Sequence, residues 1–220
     1  MLGLLKSGFS REIPSHLPVR PELKPHYDVV IIGAGGHGMA TAYHLARYHG
    51  IRRIAVLDKA YLGGGNTARN TAVIRSNYLT EESVRFYRES VRLFGELSNE
   101  LDYNILFENR GQLTLAHSDS ELRGFRLRAE VNQQLGVRSE LIGVDEIRRR
   151  VPSLDCSERA HDPILGGLWH ADGATARHDA VVWGYAKAAC ALGVELHQLT
   201  EVTAIQTHNN AVHSIVTNRG

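Results

Sequence analysis

The stretch Asp28–Ile32 reads DVVII, four apolar residues in a row with no polar alternation. Such a run suits a parallel strand covered on both faces. GAGGHG follows at once. MATAYHLARYHG then puts Met39, Ala42, Tyr43 and Ala46 on one helical face, with Gly50 as a stop. RIAVLDK is a second apolar run, so order and length predict a β-α-β unit with a right-handed crossover. Beyond it, Thr80–Leu101 predicts a longer helix: Thr80 caps it, Glu81 and Glu82 suit its first turn, and Val84, Tyr87, Val91, Phe94 and Leu101 form its stripe. GQLTLAHS alternates like a strand with one wet face. Ser120–Leu135 predicts a helix stopped by Gly136, DEIRRRVP a short one ended by Pro152, and Asp179–Leu192 another that ends at Gly193. GGLWHADGATARH between them reads as turn-rich. The last stretch, from Gly193, reads as strand, strand, Asn-Asn turn, strand.

The chain has 220 residues, enough for one large domain or two small ones, and its 43% hydrophobic and 22% charged content supports a packed core. With 25 Lys and Arg against 24 Asp and Glu, the formal net charge is +1. No global field therefore draws in nucleic acid or an anionic membrane, and neither is expected as a partner. Arg148, Arg149 and Arg150 read as the solvated end of a helix. Cys156 and Cys190 stand far apart, which excludes a disulfide framework or a cysteine-rich metal site; Cys190 falls in an apolar helical run and reads as core. The implied compartment is reducing and cytoplasmic. MLGLLKSGFS has too short an apolar run for a signal peptide, and no stretch is long enough to span a bilayer. The prolines of IPSHLPVRPELKP favour an extended N-terminal arm over residues 1–26.

Chemistry enters at the glycines. Gly33, Gly35 and Gly38 fit G-x-G-x-x-G: the first permits a tight turn, the second lets the backbone approach a pyrophosphate, and the third lets helix and strand pack closely. A lone match is weak. This one follows an apolar strand, opens a helix, and is followed about twenty residues on by an acid, Asp58, at the end of the next strand. A carboxylate there accepts hydrogen bonds from adenosine ribose hydroxyls and repels a 2′-phosphate. The fingerprint does not choose between FAD and NAD. The segment KAYLGGGNTARNTAVIRSNY adds a second glycine-rich turn with Asn66, Thr67, Arg69, Asn70 and Arg75, small polar groups that suit a long, bent cofactor and equally suit an ordinary polar loop. His178, ahead of a helix, reads on its own as a helix-mouth residue. No histidine pairing has metal-ligand context, so no metal is assigned.

DVVIIGAGGHGMATAYHLA, VLDKAYLGGGNTARNTAVIRSNY, ENRGQLTLAHSD and GATARHDAVVWGYA together resemble the β subunits of heterotetrameric sarcosine oxidases, within the D-amino-acid-oxidase-like family of flavoproteins. The resemblance runs from about Tyr27 to Gly220. It implies an α/β fold, a Rossmann-like FAD-binding domain with a parallel sheet, interleaved with part of an antiparallel-sheet substrate domain. The implied boundaries are FAD-binding segments over 27–105 and 166–220 and a substrate segment over 106–165. The implied reaction is oxidation of sarcosine, N-methylglycine, by hydride transfer to a non-covalent FAD. Gly33, Gly35, Gly36 and Gly38 match the pyrophosphate loop, with His37 at its helix start; Asp58 matches the ribose acid. Asn66, Arg69 and Asn70 match the loop beneath FAD, and Val202 matches a strand whose backbone holds the adenine. Arg75 lies where simpler relatives place an arginine for the substrate carboxylate, the one candidate catalytic residue, against a structural ion pair as the alternative. His178 resembles the attachment point of a second, covalent flavin, FMN. The implied partners are α, γ and δ subunits.

The family's β subunits are close to twice this length, so the resemblance implies an N-terminal portion. Relatives act on glycine, dimethylglycine, proline or opines, and these remain alternative substrates. Dimethylglycine-type dehydrogenases carry a flavin-linked histidine after the second strand, where GGGNTARNT has none. A third alternative is a nucleotide-binding remnant without activity.

Overall fold

A computed structural model describes residues 21–220. The expected arm falls mostly outside them, and residues 21–26 carry no helix or strand. In chain order the elements are β1 (Val29–Ile32), α1 (Gly36–Tyr48), β2 (Ile54–Leu57), a 3-10 turn (Asn66–Arg69), β3 (Val73–Ile74), α2 (Glu81–Glu100), β4 (Glu108–Asn109) and β5 (Gln112–Ala116). They continue with α3 (Asp119–Gln134), β6 (Ser139–Ile142), α4 (Val144–Arg150), β7 (Gly166–His170), β8 (Ala174–Thr175), α5 (His178–Ala191), β9 (Glu195–His197), β10 (Val202–His208) and β11 (Ala211–Thr217). The chain divides into two compact units. One combines the described residues up to Asn70 with His178–Gly220; the other is Thr71–Arg177.

The first unit is built on a parallel sheet of order β1-β2-β9, with Val29 opposite Ile54 and Ala55 opposite Glu195. Helix α1 packs against α5, and both lie on this sheet. The buried face of α1 is Met39, Ala42, Tyr43 and Ala46, the four residues whose spacing predicts it. Strand β2, paired on both sides, is buried throughout. Strand β1 corrects an expectation: among the described residues it stands at a sheet edge, and Ile32 is 54% exposed rather than covered. An apolar run reports a strand but not its place in the sheet. The hairpin β10-β11 turns at Asn209 and Asn210, both at positive φ, the backbone that a two-residue turn between antiparallel strands demands.

The second unit holds two antiparallel sheets, β3-β8-β4 and β5-β7-β6. Thr80 caps α2 as predicted, its side chain accepting from the Ser83 N–H. Val84, Leu97 and Leu101 are buried, while Tyr87 lies at the exposed margin of the stripe. Helix α3 packs on β6 and β7, and Ile147 of α4 joins Ile142 and Ile164 in the core. Arg148, Arg149 and Arg150 close α4 and pair with its own Asp145 and Glu146. Arg150 also lies 4.4 Å over the Trp169 ring. GGLWH is a second correction. It is no turn but β7, the middle strand of its sheet. Its glycines read as turn residues, yet a Cβ on Gly167 would meet Leu113 Cδ1 at 2.8 Å and Thr114 O at 2.9 Å, so close approach is their purpose here.

His170 and His197 are fully buried, and burial holds both imidazoles below the ordinary histidine range of about 6.5. Around His170 the Arg138 carbonyl and Asp172 oppose that shift, while Arg75 and Arg138 add to it. The unfolded chain therefore takes up protons before the folded chain does, and stability falls as pH drops through the unfolded value. The urea midpoint of the chain is expected to fall from about pH 7.5 to about pH 5.5, with no matching loss from pH 7.5 upward to about 8.5. A midpoint level across the acid interval would contradict the buried, neutral assignment.

Candidate functional site

In the first unit, the site grows from the end of β1. Gly33 turns the chain at φ +107°, a conformation that residues with a Cβ rarely adopt, and its N–H donates to Leu57 O at 2.7 Å. Helix α1 opens straight from this bend, with Gly35 as N-cap and no side-chain cap. A Cβ on Gly38 would lie 1.9 Å from Gly33 O, so the first turn of the helix rests directly on the bend. The result is a helix N-terminus presented without bulk. Its N–H groups and positive dipole end suit an anion, and a diphosphate above all.

A second glycine turn is fastened to the first. Gly63 N donates to Ala34 O at 2.9 Å, and Gly36 N donates to Thr67 Oγ1 at 2.9 Å. Thr67, one of the polar residues that the sequence places after the second glycine turn, is thus the side chain that meets the helix start, a contact with Gly36 that the sequence does not foretell. A hydroxyl directly after a glycine-rich turn is the only signal it leaves. Asn66 is exposed; Arg69 Nη1 donates to Gly64 O and Gly65 O at 2.6 and 3.0 Å, and Asn70 Nδ2 donates to Thr67 O at 2.6 Å. The last two side chains brace the turn that carries them.

Asp58 follows β2. Its Oδ2 accepts from Ala34 N at 2.7 Å and its Oδ1 from Ala60 N at 2.8 Å. Two main-chain donors fix the carboxylate beside the glycine bend, and an ionised carboxylate still has lone pairs for sugar hydroxyls. His37 is exposed on the first turn of α1, its carbonyl accepting from Thr41 Oγ1. Val202 is half-buried at the start of β10, opposite Thr217. His178 is the first residue of α5. It is half-buried, with Nδ1 buried and without a hydrogen-bond partner.

In the second unit, Arg75 follows β3 and is half-buried. Its Nη1 donates to Asn77 Oδ1 at 3.0 Å, and its guanidinium carbon lies 4.3 Å over the Tyr78 ring. No carboxylate among the described residues pairs with it, so the structural ion pair left open by the sequence is not what holds it. Among the described residues, no group of His, Cys, Asp and Glu side chains could hold a metal ion, and no helix is long and apolar enough to cross a membrane.

A glycine bend between a strand and a helix that starts on glycines, with a fixed acid at the tip of the neighbouring strand, defines a dinucleotide-binding α/β protein. Main-chain donors for a diphosphate and a carboxylate for the ribose fit FAD. The FAD dependent oxidoreductase family, DAO, matches residues 28–220, and the chain belongs to it. It is 46% identical over 200 residues to the Sarcosine oxidase subunit beta of Rhodobacter capsulatus, covering 91% of this chain and 48% of that protein. The Arthrobacter sp. protein of the same name is 42% identical over 209 residues, 95% of this chain and 52% of its own length. The chain thus spans about half the length of these relatives. Among solved structures, L-proline dehydrogenase from P. horikoshii superposes with a TM-score of 0.81 at 30% identity, covering 90% of this chain and 50% of that one. Glycine oxidase from Bacillus cereus, with a TM-score of 0.77 at 24% identity over 89% and 52% of the two chains, shares the fold.

Proposed function

We propose that this chain belongs to a flavoenzyme that oxidises sarcosine, in which it acts as all or part of a β subunit beside α, γ and δ partners. The observation that carries this reading is the 46% identity to a Sarcosine oxidase subunit beta across 91% of the chain. FAD, when bound, accepts hydride from the carbon next to the substrate nitrogen. Everything else is the work of side chains and amides. The helix start at Gly35, Gly36, His37 and Gly38 holds the diphosphate, and Asp58 accepts from the ribose. Asn66, Arg69 and Asn70 shape the turn under the cofactor, and the backbone at Val202 meets the adenine. Arg75 binds the substrate carboxylate through two parallel N–H donors and so orients the amino acid. The free state of Cys156 and Cys190 supports a cytoplasmic setting, and burial pushes the Cys190 thiol up to about 11.

His178 carries the second part of the proposal, the attachment of FMN. His178 would hold FMN by a bond from a neutral imidazole nitrogen to the flavin 8-methyl carbon: a C–H bond of the methyl group would break, its proton and the imidazole proton would leave to solvent, and the electron pair would pass to the flavin ring and from there to oxygen. The buried, unpartnered Nδ1 supports a role beyond capping α5. Mass spectrometry of the chain purified with its co-expressed partners tests it: the peptide containing His178 is expected to gain the mass of FMN less two hydrogens and to keep its yellow colour through acid precipitation. An unmodified peptide from an active, flavin-loaded complex refutes the tether.

The likeness to L-proline dehydrogenase supports a second reading, in which another small amino acid is the substrate. Turnover of sarcosine, proline, glycine and dimethylglycine by the same complex separates the two.

A further inference from the structure

Arg75 is held in an unusual manner. Buried or half-buried arginines commonly find a carboxylate, because an uncompensated charge is costly away from water. Here the contacts that restrain the guanidinium are neutral: an amide oxygen at 3.0 Å and the face of a phenol ring at 4.3 Å. Both favour a cation without cancelling its charge. Asn77 is 1% exposed, and its Nδ2 is buried with no partner. Guanidinium offers donors only, so the amide must turn its oxygen to Arg75 and leave the nitrogen unfilled. An aspartate would avoid that orphaned donor, at the expense of neutralising the arginine.

The main chain between these groups is fixed from elsewhere in the second unit. Ser76 N donates to His170 Nε2 at 3.2 Å, while His170 Nδ1 faces the Arg138 carbonyl at 3.2 Å. That pairing selects the tautomer with the proton on Nδ1. Ser139 Oγ donates to Asn132 Oδ1 at 2.8 Å, and Asn132 Nδ2 donates to Tyr78 O at 2.6 Å. Tyr78 in turn stacks on Tyr87, with ring centroids 4.1 Å apart. Residues 76–78 are therefore anchored by buried polar groups at both ends, and Asn77 and Tyr78 have little freedom to leave the guanidinium.

We propose that Asn77 and Tyr78 are positioning residues that clamp Arg75 through neutral contacts alone, so that its full charge stays available to a substrate carboxylate. The inference rests on the reading of Arg75 as the carboxylate-binding residue. It is tested with the isotope-labelled full chain, by following the Arg75 Nε–Hε resonance during titration with sodium acetate at constant ionic strength; the resonance is assigned from its loss in Arg75→Lys. In the unaltered chain the resonance is expected to lie apart from those of exposed arginines, displaced by the Tyr78 ring, and to shift with acetate. In Asn77→Asp a tethered carboxylate competes for the guanidinium, and about tenfold more acetate is needed for the same shift. Tyr78→Leu, which removes only the ring, moves the resonance toward the exposed arginines. An unaltered chain whose Arg75 ignores acetate removes the carboxylate-binding reading itself. Equal acetate dependence in the unaltered chain and Asn77→Asp, or an unmoved resonance in Tyr78→Leu, overturns the clamp and leaves that reading standing.

Discussion

Gly38→Ala is expected to cost the chain its nucleotide site and much of its stability. The added Cβ would lie 1.9 Å from Gly33 O and 3.1 Å from Gly33 C, with Ile31 Cγ2 next at 3.4 Å. The first two are backbone atoms of the bend itself, so no rotamer change relieves the clash. Either α1 lifts off β1 or the bend opens. In both cases the start of α1 shifts away from the bend, Gly36 N loses its bond to Thr67 Oγ1, and Gly33 N loses its bond to Leu57 O. The expected destabilisation is about 3 kcal/mol, the upper end of what over-packing costs, and FAD is expected to be lost from the assembled enzyme on gel filtration. Gly36→Ala is the matched control. Its Cβ would meet only Thr67 Oγ1, at the ordinary contact distance of 3.7 Å, so the urea midpoint is expected to stay near that of the unaltered chain. A Gly38→Ala chain with an unchanged midpoint and full flavin content would show that the bend is not the anchor.

That contrast marks what the sequence made legible. The bend, the helix face Met39, Ala42, Tyr43 and Ala46, and the acid at Asp58 are all local in sequence. Periodicity and glycine spacing therefore find them directly. The Thr80 cap and the Asn209–Asn210 turn are local too. The misses are non-local. DVVII says nothing of a sheet edge, because its partner among the described residues, β2, lies on the far side of a helix. GGLWH hides a central strand, because its glycines answer to Leu113 and Thr114 some fifty residues away. Thr67 matters through Gly36, and His170 through Ser76, 94 positions apart. Pairings of that kind are set by tertiary packing and leave no spacing to read. His178 lies between the cases. Its position ahead of a helix is plain, but the condition of its buried Nδ1 is visible only in three dimensions.

Arg75→Met is expected to lower kcat/KM for sarcosine in the assembled enzyme more than any other single side-chain change in the second unit. A guanidinium that meets a carboxylate in parallel supplies two charge-assisted hydrogen bonds, each worth about 1.5–3 kcal/mol. Part of that returns when the substrate carboxylate is left in water, so the net loss is put at about 3–4 kcal/mol, or roughly 150- to 1000-fold in kcat/KM. Methionine keeps the stem length and the contact with the Tyr78 ring, which separates lost charge from lost packing. Removing the arginine leaves no carboxylate unpaired, but it strips the buried Asn77 Oδ1 of its donor, so a loss of stability of about 1–3 kcal/mol is expected and activity is compared on folded enzyme. The deficit should fall mostly on KM if the arginine only binds, and on kcat as well if it also sets the angle at which the substrate meets the flavin. Lysine at the same position restores charge but not the planar fork, and should recover only part of the loss. An Arg75→Met enzyme that holds its flavins and oxidises sarcosine with an unchanged kcat/KM would place carboxylate recognition on other residues.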